Sequence, residues 1–194
     1  MSTSTFSRRS LITRAVQLSL SAGAVALLAG NQSLAGKHAT PASGNDVAIL
    51  NVALGLEHEA IAAYQIGAES GLLQKPVLDV AVLFQSQHKG HRDALLATIQ
   101  KLGGTPVMAM SSDEYLKSAK LKVSSIKSQG DVLMLAQRLE LGAVNAYLGV
   151  IPAFGDRELA KVAGRLAADE TMHYTALTQA LGAALPSAPL SYGA

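Results

Sequence analysis

Two stretches of this chain carry the same ionisable residues at almost the same spacing. Glu57 is followed seven residues on by Tyr64, and later by His88-x-x-His91. Glu140 is followed seven residues on by Tyr147, and later by Glu170-x-x-His173. The separation from Glu57 to His91 is 34 residues, and from Glu140 to His173 it is 33. All of these residues lie inside otherwise apolar stretches. A carboxylate or imidazole taken out of water needs a partner, and a metal ion is one way to supply it. Any fold for this chain must therefore bring the two sets together or leave costly groups unpaired.

The intervening sequence reads as helix. Hydrophobic residues make up 49% of the 194, mostly Ala, Leu and Val, with only 4% aromatics. Ala and Leu are strong helix formers. Four long helices are predicted, over Asp46–Ser70, Pro76–Leu102, Asp131–Ile151 and Asp156–Leu181. Pro76 suits a first helical turn, Gly103-Gly104 stops the second helix, and Asp156 caps the fourth, with Gly182 beyond its end. The first-to-second and third-to-fourth links are short, which makes each pair an antiparallel hairpin. The second-to-third link, about 103–130, is long. Within it Ser111-Ser112-Asp113-Glu114 has the form of a capping box that starts a short helix. The expected fold class is all-α: a four-helix bundle of two helical hairpins joined by one long crossover. It spans 46–182, after a flexible lead-in over 36–45 and before an irregular tail over 183–194.

Each predicted helix has a stripe at alternating steps of four and three, the core face of a bundle helix. The stripes are Leu50, Leu54, Glu57, Ile61, Tyr64; Ala81, Phe84, His88, His91, Leu95; Leu133, Gln137, Glu140, Val144, Tyr147; and Leu166, Glu170, His173, Leu177. Six metal-ligand types, Glu57, His88, His91, Glu140, Glu170 and His173, thus sit at matched depths on four inward faces. Metal binding is one solution; a metal-free network in which Glu and His satisfy one another is the other. Tyr64 and Tyr147 either pack in the core or hydrogen-bond a ligand carboxylate. His58 and Glu59 point about 100° and 200° away from Glu57, toward the surface or the edge of the site. Asp169 is expected to be exposed, and Gln87 to border the site.

Several classes are excluded or disfavoured. Without cysteine there is no disulfide, thiolate metal site, iron–sulfur cluster or cysteine nucleophile. A His-and-carboxylate site suits iron, manganese or zinc. The net charge of +2 comes from Arg8, Arg9 and Arg14; without those three, 13 basic residues face 14 acidic ones. That balance argues against nucleic acid or an anionic membrane as partner. Lys117, Lys120, Lys122 and Lys127 read as a solvated basic face. The three arginines belong to an N-terminal address: Arg8-Arg9, a weakly apolar run over 15–29, and small residues at Ser33-Leu34-Ala35. The run is shorter than the roughly 20 residues that cross a bilayer. Residues 1–35 are therefore read as a twin-arginine export signal, cut after Ala35, which predicts a periplasmic or secreted protein with no stable membrane span after cleavage.

The residue set resembles the ferritin-like superfamily, and its bacterioferritin-type dimetal sites in particular. That family places one Glu on each of two helices and Glu-x-x-His on each of the other two. Glu57 and Glu140 match the lone glutamates, Glu170-x-x-His173 matches the full motif, and Tyr64 matches a tyrosine that ferritins often keep. His91-Arg92-Asp93-Ala94-Leu95 and Lys101-Leu102-Gly103-Gly104 resemble a ferritin second helix and its end. The resemblance covers about 46–182 and implies a non-haem di-iron or di-manganese centre that reacts with dioxygen or peroxide or oxidises iron. It leaves a homo-oligomer open. With the export signal the chain resembles secreted bacterial ferritin-like proteins. One residue departs: His88 stands where the family has a bridging glutamate, so the site carries −3 rather than −4 and holds an asymmetric pair, one ion or none. The competing reading is a non-catalytic, stress- or desiccation-related ferritin-like domain, or a metal binder without turnover.

Overall fold

The structure is a computed structural model that describes residues 44–193. The export signal read in residues 1–35 and most of the expected lead-in lie outside the described residues. The described chain contains helices α1 (Gly44–Glu69), α2 (Lys75–Lys101), α3 (Ser112–Leu116), α4 (Gln129–Val150) and α5 (Arg157–Ala180). Short 3-10 turns cover Val123–Ser125 and Ile151–Ala153, and no strand occurs among the described residues. The fold is the expected all-α bundle. α1 packs on α2, α4 packs on α5, and the hairpins meet chiefly along α1 and α4.

Local chemistry sets the helix ends. Pro76 sits in the first turn of α2, where a missing N–H costs nothing. At its other end Gly103 adopts φ 76° and Gly104 N–H donates to Ile99 O at 2.9 Å. Gly104 is also a point of close approach, since a Cβ there would lie 2.5 Å from Val47 Cγ1. Ser111 and Glu114 form the reciprocal capping box that starts α3. α4 begins at Gln129 rather than Asp131, because Ser128 is the cap: its hydroxyl accepts from Asp131 N–H. α1 is already helical at Gly44, the first described residue, two residues ahead of Asp46. Buried Asp46 is used instead to fasten the bundle end, accepting from Gly155 N–H at 2.7 Å and Asp156 N–H at 3.1 Å.

The core is layered. At one end Leu50, Leu54, Leu95, Ile99, Tyr147 and Leu166 pack together. At the other end Tyr64, Phe84, Leu133 and Leu177 do so. The six acidic and imidazole residues fill the layer between them. A side cluster of Ala63, Tyr115, Leu121 and Leu135 seats the crossover on the bundle. α1 is apolar enough (mean hydropathy 1.2) and long enough to cross a bilayer. Its inward face carries buried Glu57, hydrogen-bonded to other helices, which is the pattern of a bundle core. The 183–193 segment is without helix and lies back on the hairpin: Gly193 N–H donates to Asn145 Oδ1 at 2.8 Å, and Tyr192 meets Tyr174 edge-on.

Candidate metal centre

All six ligand-type residues converge in one layer. Glu57, His88, Glu140, Glu170 and His173 have at most 2% of their surface exposed. The His91 side chain keeps 11%. Two overlapping groups present atoms within 4.8 Å of one another: Glu57, His88, His91 and Glu170, and His88, Glu140, Glu170 and His173. His88 and Glu170 belong to both. His88 bridges the hairpins, with Nδ1 2.8 Å from Glu57 Oε2 and Nε2 3.1 Å from Glu140 Oε1.

The near-repeat of the sequence becomes a reciprocal arrangement. Tyr64 donates its hydroxyl to Glu140 Oε1 at 2.5 Å, and Tyr147 donates to Glu57 Oε1 at 2.5 Å. Each tyrosine thus serves the glutamate of the other hairpin. The outer histidines follow the same rule. His173 Nε2 bonds Gln87 Oε1 at 2.6 Å, and His91 Nε2 lies 3.3 Å from Asp169 Oδ2. Gln87 and Asp169 each precede the first residue of their motif, so they are counterparts. An acceptor at Nε2 holds the proton there and turns Nδ1 inward. His91 Nδ1 lies 3.2 Å from Glu170 Oε1, and His173 Nδ1 lies 3.0 Å from Glu170 Oε2.

One expectation is corrected by this geometry. Asp169 is only part-exposed, at 37% of its side chain, and faces His91 rather than solvent alone. Lys117, Lys120, Lys122 and Lys127 are exposed as expected, and Lys120 also reaches α1 to pair with Glu59 at 2.8 Å. Of the two roles open to the tyrosines, both bond carboxylates. Phe84 was visible only as a core residue, yet it stacks on the His173 ring with centroids 4.1 Å apart.

The charges hold one another. Burial pushes Glu57 up, but hydrogen bonds from His88 and His91 outweigh it and hold the carboxyl down at about 2. Burial likewise opposes the charged form of Glu140, and His173 and His88 still bring it well below the usual carboxylate range. For His88 burial favours the neutral ring, yet Glu140 and Glu57 raise it to about 10. His91, against the same burial, is pushed up to about 12 by Asp169, Glu170 and Glu57. Burial, then Glu140, drives the Tyr64 hydroxyl well above its ordinary value, and burial and Glu57 do the same to Tyr147. Both tyrosines are therefore hydrogen-bond donors, not phenolates, across the usual pH range.

Fully buried Glu170 is held by ion pairs alone: its oxygens lie 3.2 Å from His91 Nδ1 and 3.0 Å from His173 Nδ1 without a well-aligned hydrogen bond to either. Carboxylate lone pairs and inward-turned imidazole nitrogens around one point fit a divalent cation, which needs lone pairs rather than donors.

A helical bundle of two hairpins, closing carboxylates and imidazoles around one buried layer, defines a class of carboxylate–histidine bundle proteins. The chain belongs to the ferritin-like domain family, whose model matches residues 45–183. Its fold is similar to the crystal structure of a conserved hypothetical protein from Mycobacterium tuberculosis, with a TM-score of 0.62 and 24% identity over 75% of this chain and 96% of that one. No curated protein matches the sequence.

Proposed function

We propose that this protein is an exported redox metalloprotein whose bundle holds one or two iron or manganese ions on Glu57, His88, His91, Glu140, Glu170 and His173. The observation that carries the reading is the convergence itself: two overlapping groups of four buried or nearly buried residues, sharing His88 and Glu170, present ligand atoms within 4.8 Å of one another. Iron or manganese in such a setting supplies one-electron changes of oxidation state toward ferrous iron, dioxygen or peroxide. The chain's own residues do the rest. Tyr64 and Tyr147 fix the orientation of Glu140 and Glu57, Gln87 and Asp169 fix the ring orientation of His173 and His91, and the apolar clusters above and below exclude water. The export signal read in residues 1–35 supports a periplasmic or secreted location.

A second reading has its own observation. The three imidazoles are each raised toward their charged form by the neighbouring carboxylates, so three histidines can balance three glutamates with no ion. That is a purely structural polar core. Metal analysis of the protein purified from its native export route separates the two. The metal reading expects stoichiometric iron or manganese, with affinity at least tenfold weaker in Glu140→Ala and His173→Ala. Wild-type protein that carries no metal and takes up none would refute it.

A further inference from the structure

A pocket of about 280 Å³ opens between α1 and α4 and reaches the polar layer, with His88 and Glu140 at its floor. Its walls include Leu56, Ala60, Leu139 and Ala143. Its rim carries Lys120, Arg138 and a single carboxylate, Glu59. The rim is tied together across the opening: Lys120 Nζ pairs with Glu59 Oε2 at 2.8 Å, and Arg138 Nη2 donates to Lys120 O at 2.8 Å. Two cations and one anion leave the mouth net positive. That disfavours a metal cation at this opening and favours an anion. The opposite side of the layer has the reverse character, with part-exposed Asp169 beside the slightly exposed edge of His91.

Two further features point to an occupant. Gly142 lines the pocket, and a Cβ placed on it would meet nothing within 4 Å, so the space beside it is open. His88 is the floor residue that stands in place of a carboxylate, which takes one negative charge from the side that faces the pocket. Apolar walls below a cationic rim match a molecule with an anionic head and an apolar body.

We propose that this pocket binds a small organic carboxylate, its head on Lys120 and Arg138 and its short apolar chain lying between Leu56, Ala60, Leu139 and Ala143 above the polar layer. The ion pair with Glu59 opens or shifts as the head group takes its place on Lys120. The inference stands on the pocket and not on the presence of metal.

Methyl NMR of the full chain, titrated with hexanoate, 1-hexanol and hexylammonium, tests it. The expected result is saturable shifts of the Leu56 and Leu139 methyls with hexanoate, at an affinity at least fivefold above that of either other probe. Gly142→Leu fills the open space and should weaken hexanoate binding at least tenfold. Arg138→Gln should abolish the preference for hexanoate over hexanol. Metal content measured on the same samples keeps the two readings apart, because hexanoate binding to metal-free protein supports the pocket even if the metal reading fails. Equal binding of the three probes, or undiminished hexanoate binding by a folded Gly142→Leu variant, overturns the proposal.

Discussion

Replacing Tyr147 by Phe removes one oxygen and nothing else. That oxygen donates to Glu57 Oε1 at 2.5 Å, in a layer where both side chains are almost wholly buried. With it gone, the contact of Oε1 with His91 Nδ1, at 3.6 Å, is too long to replace the lost hydrogen bond. A hydrogen bond to a charged group contributes about 1.5–3 kcal/mol, and a buried acceptor left without its donor keeps the desolvation penalty. Tyr147→Phe should therefore destabilise chelator-treated protein by about 1.5–3 kcal/mol. For a bundle of this size that corresponds to a Tm lower by about 4–10 °C. Tyr64→Phe should cost a similar amount, because its bond to Glu140 has the same length and burial. The double variant should be non-additive, since Glu57 and Glu140 share His88. Tyr115→Phe is the internal control: its hydroxyl accepts one long bond, 3.4 Å from Met110 N, and its loss should cost under about 1 kcal/mol. Urea unfolding of the variants measures all of this. If Tyr64→Phe and Tyr147→Phe each cost no more than Tyr115→Phe, the reciprocal tyrosine–glutamate bonds do not hold the layer together.

Other consequences can be measured directly. Histidines whose folded values lie above 6.5, with His88 at about 10, contribute stability that is complete below pH 6.5 and lost as pH rises through about 10. Glu57, lowered to about 2 from 4.5, contributes stability that is complete above pH 4.5 and lost as pH falls toward 2. The urea midpoint of metal-free protein should therefore peak between about pH 4.5 and 6.5; a maximum above pH 8 would contradict the charged network. Gly67→Ala should destabilise by about 1–3 kcal/mol, because its Cβ would lie 2.8 Å from Val132 Cγ1 across the hairpins. Gly142→Ala, with nothing within 4 Å, should instead stabilise by about 0.5–1 kcal/mol, as the same unfolding assay would show.

The bundle was legible because its signals are local and repeated. The stripes place Leu54, Glu57, Leu95, Glu140 and Leu166 inward by periodicity alone, and all five are buried. The Gly103-Gly104 stop and the Ser111 capping box are likewise short-range chemistry. The start of α4 was misplaced because Ser128 and Asp131 are both good caps, and only the bond direction decides between them. At the site, spacing gave the six residues but not who meets whom. That Tyr64 serves Glu140 rather than its own Glu57 depends on how the hairpins cross, which no pattern within one helix encodes. The position of Asp169 beside Glu170 points to the surface; its equivalence to Gln87, one residue before each motif, is the signal in the sequence for its contact with His91. The pocket left no trace in the sequence, since Ala60, Gly142 and Ala143 are ordinary helix-packing residues until the crossover lays Lys120 above them.

The crossed tyrosines also determine how freely the two hairpins can slide. Stripes made of Leu, Ala and Val look much alike one turn further along, so an apolar bundle has several longitudinal settings of similar energy. One helical turn is about 5.4 Å. A slide of one turn between α1 and α4 would carry the Tyr64–Glu140 and Tyr147–Glu57 bonds, both 2.5 Å long, out of reach together. Two buried hydroxyls thereby act as a keyed joint: they select one longitudinal setting out of many that the greasy surfaces alone would accept.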